Sequence, residues 1–202
     1  MAPPTSEQIT PRQAKAPKQD STPSFRMHLR QATRIDHDRS ELAFAAFHRD
    51  PAQHLDWFLA CQLSALEALS ATCPPERMHS AALLQELIAA LYQDCEARNQ
   101  TVVALPQSAQ PALTGLAVDY LVLGSRLGTE VLRRRLTQQV PHSPLPLYFS
   151  QRDHGPIWKD TCAALDKVAT NSSTAKSIVE DSKAGFRLFH DAATCNQMVH
   201  AS

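Results

Sequence analysis

The sequence predicts an all-α, single-domain, multi-helix bundle, and three observations carry that expectation. Apolar residues recur at helical spacing in segment after segment, as in Leu83, Leu84, Leu87, Ile88 and Leu91. No run alternates apolar and polar residues as a half-buried strand would, and no hairpin turn joins two apolar runs. Prolines fall between the periodic segments, at Pro74-Pro75, Pro106, Pro111 and Pro141, Pro144, Pro146, where they would stop helices rather than interrupt them. With 202 residues, 43% of them hydrophobic, the chain can bury a sizeable core in one domain.

Residues 1–23 hold five of the fourteen prolines and only Met1 and Ile9 as large apolar side chains. Such a segment buries too little to offset its ordering entropy, so it reads as a disordered tail ahead of a helical domain spanning 24–202. Ser24 is placed to cap a first helix from Phe25 to about His48. At about 100° per residue, Phe25, Leu29, Ala32, Ala43, Ala46 and Phe47 form its apolar stripe. Arg30, Thr33, Arg34, His37 and Phe44 share a second face, for which solvent is the ordinary expectation.

Asp50-Pro51 opens the next helix, which carries Trp57, Phe58, Cys61, Leu63, Leu66 and Leu69. A third spans about Glu76 to Arg98, with Leu83, Leu84, Leu87, Ile88, Leu91 and Tyr92 facing inward. A fourth follows Pro111 and runs to the Pro141 loop. A shorter helix begins near Pro156 and is broken by Asn171-Ser172-Ser173. The last covers about Thr174 to Val199.

Charge and cysteine usage narrow the function. Twenty basic and twenty acidic residues give a formal net charge of zero. That argues against non-specific nucleic-acid or membrane-surface binding. The one basic cluster, Arg133 to Arg135, reads as a solvated helix end complementing the helix dipole. Five cysteines without C-x-x-C spacing point to reduced thiols and a cytoplasmic location. No apolar run reaches transmembrane length, and no signal-peptide core opens the chain. Phosphate-binding loops, a nucleophile elbow and paired-histidine metal motifs are all missing.

One stretch stands out, Gly115 to Leu132, which holds three of the five glycines in a helical run. Gly124 and Gly128 should together cost the helix roughly 2 kcal/mol relative to alanine. Four residues apart, they lie on one face and leave a strip without side chains. Close helix packing and a ligand seated on the backbone are the two readings, with packing the commoner use of such spacing.

Two segments resemble the haem oxygenases. Leu29-Arg-Gln-Ala-Thr-Arg-Ile-Asp-His37 is similar to that family's first-helix motif, L-[KR]-x-A-T-x-x-x-H, whose histidine is the proximal iron ligand. Tyr120-Leu-Val-Leu-Gly124-Ser-Arg-Leu-Gly128-Thr-Glu-Val-Leu132 looks like the distal helix, written Y-V-L-E-G-S-x-L-G-G in the bacterial, biliverdin-producing branch. Leu105-Pro106 and Ala184-Gly-Phe186 fit the same pattern, and the likeness covers roughly residues 25–195.

The resemblance implies a haem oxygenase that cleaves haem with O2 and reductant to biliverdin, CO and iron. Haem would be both substrate and cofactor. His37 would ligate the iron, and Arg30, Thr33 and Arg34 would lie on the haem side, the arginines suiting propionate carboxylates. Gly124, Ser125, Gly128 and Thr129 would form the distal, catalytic wall. Implied partners are an electron-donating reductase or ferredoxin and a biliverdin acceptor such as a phytochrome. The chain departs from the pattern at Leu123, where the bacterial branch has Glu, and at Thr129, where it has Gly. Ser125 stands where the animal branch has Asp. These departures motivate an alternative, a non-catalytic haem- or tetrapyrrole-binding relative used for storage, sensing or partner control.

Overall fold

A computed structural model describes residues 24–106, 112–140 and 144–200, with side chains to 197. The tail expected over residues 1–23 lies outside them. The described residues form eight α-helices and no strand: α1 (Phe25–Ala32), α2 (Arg34–Ala43), α3 (Ala45–Arg49), α4 (Leu55–Ala71), α5 (Ala81–Ala97), α6 (Gly115–Gln139), α7 (Gly155–Asp166) and α8 (Ser173–His200). The all-α expectation therefore holds. No helix among the described residues is long and apolar enough to cross a membrane.

The expected first helix is three segments. Thr33 has left the helical region, at φ −100° and ψ 1°. Its N–H and its Oγ1 both donate to the Leu29 carbonyl, at 3.0 and 2.9 Å. A threonine hydroxyl competing for the i−4 carbonyl bends a helix. Phe44 makes the second break, its N–H reaching back three residues to Glu41 at 3.0 Å. Both residues are buried, so the second stripe faces solvent only at Arg30, Arg34 and His37. Phe44 packs its ring against Trp57 and Phe58, with centroids 5.6 and 5.7 Å away. Ser24 does precede α1, although its hydroxyl makes no capping bond.

Helix α4 is the core. Thirteen of its seventeen residues are buried, so it shows no clear apolar face. Two of its buried polar side chains are paired: Ser64 Oγ donates to the Val103 carbonyl at 2.6 Å, and Gln62 Oε1 accepts from Tyr148 at 3.1 Å. Loss of that last bond in Tyr148→Phe is expected to cost about 1 kcal/mol in denaturant unfolding. Phe47 stacks on Phe58 at 3.9 Å, and α4 is flanked by α5 and α8.

Several sequence-derived boundaries move. Helix α4 starts at Leu55 rather than at Pro51, because residues 51–54 form a turn in which Asp50 Oδ1 accepts from Gln53 N–H at 3.1 Å. Helix α5 starts at Ala81, after a short 3-10 turn over Pro75–Arg77. Tyr92 is 53% exposed instead of inward, its hydroxyl bonded to Glu67. Helix α7 ends at Asp166, before the expected break at Asn171. The basic cluster is not the end of α6, which continues to Gln139.

Arg133 instead clasps Glu130 through Nε and Nη2, both at 2.8 Å, and Arg134 adds a bond at 3.1 Å. The Arg133 bonds foremost pull the Glu130 carboxyl down to about 2. Its pairing therefore persists above the ordinary glutamate range and is lost only as pH falls through about 2. A carboxyl NMR titration should place its midpoint there, and Arg133→Ala should return it toward the usual value.

Three starts are capped from elsewhere in the fold, whereas α8 is capped locally by Ser172 Oγ, which accepts from Ala175 N–H at 3.0 Å. Asp119, in the second turn of α6, accepts from His79 N–H (3.0 Å), Ser80 N–H (2.8 Å) and Ser80 Oγ (2.7 Å) at the head of α5. Asp181 of α8 accepts from Thr114 N–H at 2.8 Å, at the head of α6. Asp94 of α5 takes both Leu147 and Tyr148 N–H, at 2.8 Å each. Exposed N–H groups at a helix head need such acceptors.

Candidate functional site

The two segments singled out in the sequence lie on either side of α8. Leu29 of α1 and Ala117 of α6 share one apolar cluster. One turn further along each chain, Thr33 lies against Tyr120. Burial pushes the Tyr120 phenol up, offset in part by the Thr33 hydroxyl and then by the charge of Arg30. Another turn on come His37 from α2 and Gly124 from α6. Adjacent residues of α8 back both walls. Phe186 meets the His37 ring edge-on, with centroids 5.4 Å apart, and Gly185 abuts Leu121.

His37 is about half exposed. Its Nδ1 is 3.4 Å from Asp38 Oδ1, and its Nε2 is 3.7 Å from Glu41 Oε1. Carboxylates beside an imidazole fix its orientation and raise its basicity as a ligand. Sequence spacing gave no reason to choose Glu41, although it lies one helical turn beyond His37. Arg34 is exposed and pairs with Asp38 at 3.6 Å, and Arg30 is exposed. Lys159 is exposed on α7. The basic residue nearest Phe186 on its own face is Lys183, one turn earlier, which pairs with Glu180 at 2.9 Å.

The glycine strip is open. A Cβ at Gly124 or Gly128 would meet nothing within 4 Å. This overturns close helix packing as the use of these two glycines. The close approach of α6 to α8 rests on Gly185, where a Cβ would overlap the Leu121 side chain. Exposed Leu127 and Val131 flank the strip and make it apolar. Because no neighbour would resist a methyl group, Gly124→Ala and Gly128→Ala should each stabilise the protein by about 0.8–1 kcal/mol in thermal unfolding.

The distal hydroxyls point elsewhere. Ser125 Oγ donates to the Val122 carbonyl at 2.8 Å, and Thr129 Oγ1 donates to the Ser125 carbonyl at 3.0 Å. Thr129 is buried, and Leu123 is a fully buried core residue. The structure thus links Thr33 to Tyr120 and His37 to Phe186, with Gly185 beside Leu121, while Gly124 and Gly128 lie further along α6 with nothing packed on them. Ser125 and Thr129 belong to the same helix turn but direct their protons into its backbone.

Among the described residues no group of three or more His, Cys, Asp or Glu side chains could hold a bare metal ion. A single histidine suffices where a macrocycle supplies the other ligands. The fold defines the class of an all-α helical bundle. No family model, curated protein or solved structure matches the chain.

Proposed function

We propose that the chain binds haem between α2 and α6 and acts as a haem oxygenase. The observation that carries this reading is the bare, apolar strip over Gly124 and Gly128, set beside a wall that presents His37. Two helical glycines with nothing packed on them leave a conformational cost that a flat ligand lying close to the backbone would offset. The residues fit haem once His37 Nε2 turns from Glu41, 3.7 Å away, to the iron while Nδ1 stays beside Asp38. Phe186 packs edge-on against that ring, and Leu127 and Val131 offer apolar contact. When bound, haem would supply the oxygen-activating chemistry, giving biliverdin, CO and iron with O2 and an external reductant.

The chain's own part is positional. Asp38, beside Nδ1, would orient the His37 imidazole and keep Nε2 a good donor. Arg30, Arg34 and Lys183 would meet propionate carboxylates, as guanidinium and ammonium groups do. The α6 backbone at Gly124 and Gly128 would set how close the macrocycle lies to the helix.

A second reading, binding without turnover, draws on Ser125 and Thr129. Their hydroxyl protons are committed to helix carbonyls, so the distal wall has no evident side-chain donor for bound O2.

The test is a hemin titration followed by reductant under air. Stoichiometric binding with a haem-bound absorbance, a changed spectrum in His37→Ala, and a biliverdin band on reduction are the expected results. Binding without biliverdin would select the second reading. Non-saturable uptake, unaffected by His37→Ala, would overturn both.

A further inference from the structure

A second charged group sits on the opposite side of α6, and it does not depend on the haem reading. Arg126 is only 6% exposed, lying half a turn around the helix from Gly124 with its guanidinium over the Tyr148 ring, 4.5 Å from the centroid. Its Nε and Nη2 are buried without a hydrogen-bond partner. These two atoms form one edge of the guanidinium, the edge that grips a planar oxyanion with two parallel bonds. Arg133, two turns later in α6, uses that same edge on the Glu130 carboxylate.

Among the described residues no carboxylate pairs with Arg126. Asp94 is held by the Leu147 and Tyr148 amides, and Glu86 lies 3.6 Å from Arg152. Arg152 adds a second positive charge nearby, its own donors turned to the carbonyls of Leu147, Tyr148 and Ser150. A buried cation opposed by another cation is costly without a counter-charge. Ring contact alone replaces only part of that.

We propose that the Nε/Nη2 edge of Arg126 is a binding site for a small carboxylate-type oxyanion, of the size of formate or bicarbonate. The size follows from the closure of that edge to bulk solvent, and the planar shape follows from its two parallel donors. Arg126 shares its helical turn with Gly124 and Gly128, so an occupant would pin the segment that carries the open strip.

The test uses the full chain in formate-free buffer at constant ionic strength. Sodium formate is titrated while the Arg126 Nε–H resonance is followed by NMR, that resonance being assigned in isotope-labelled wild-type protein through its scalar connection to the Arg126 backbone. A parallel titration uses sodium chloride, and thermal unfolding is measured at both ends. The expected result is a saturable shift of that resonance and a raised melting temperature with formate, neither of them reproduced by chloride. Arg126→Met should lose the response in melting temperature. An unshifted resonance, an equal response to chloride, or a formate-dependent rise retained in Arg126→Met would each overturn the proposal. The wild-type NMR arm decides the question even if a variant does not fold.

Discussion

Asp119→Ala should lower the free energy of unfolding by about 3–4 kcal/mol, and thermal or denaturant unfolding measures it directly. The carboxylate is 1% exposed and serves three donors at once, His79 N–H, Ser80 N–H and Ser80 Oγ. Its removal strands the head of α5 in a place water does not reach freely, so the loss combines a missing charge-assisted bond with unsatisfied donors. For a domain of this size that amounts to a fall in melting temperature of roughly 10 °C. Asp181→Ala should cost less, since Asp181 accepts from Thr114 N–H alone at the head of α6. Equal effects of the two substitutions would count against this account of the caps.

Gly115→Ala should be comparably damaging, by about 3 kcal/mol or more, even though alanine is the better helix former. A Cβ there would overlap the Arg77 carbonyl, and backbone cannot swing aside as a side-chain tip can. The contrast with Gly124→Ala and Gly128→Ala, expected to stabilise, makes the prediction sharp: three glycines of one helix, opposite signs. A scan in which all three alanines destabilise alike would remove the case for open space over Gly124 and Gly128. If the two stabilising variants also take up hemin less tightly, the strip's cost and its use are measured in the same pair of proteins.

Sequence periodicity was enough for the helices because burial and the 3.6-residue repeat agree along most of them. Leu83, Leu84, Leu87, Ile88 and Leu91 illustrate this, since every one is buried. Tyr92 failed because an amphipathic ring at the border of a stripe can snorkel outward to Glu67. The break at Thr33 was also illegible. Threonine is tolerated within helices, and only the competition of its hydroxyl for Leu29 O makes it a bend.

At the proposed site, motif spacing singled out Thr33, His37, Gly124 and Gly128. Spacing could not tell an open glycine from a packed one, because that difference lies in what other helices bring. Gly124 and Gly185 look alike as letters, yet one faces space and the other Leu121. Arg126 was unreadable for the same reason, since burial of a charge depends on the far side of its helix.

The division of the apolar core in two has a consequence for motion. Phe25, Leu29, Ala117, Leu165, Ala175, Ile178 and Val179 form one cluster, and the α3–α4–α5 side forms the other, with α6 and α8 common to both. Helix α1 is thus fastened through the smaller cluster, α7 is shared through Leu165 on one side and Ile157 and Trp158 on the other, and His37 lies just beyond the smaller cluster, where the Thr33 bend begins. Cooperative units of unequal size open at unequal free energies. Amides of α1 should accordingly exchange with solvent hydrogen through partial openings that leave α4 and α5 protected. The wall that presents His37 would then be the part of the molecule able to step back and readmit a flat molecule without unfolding the rest.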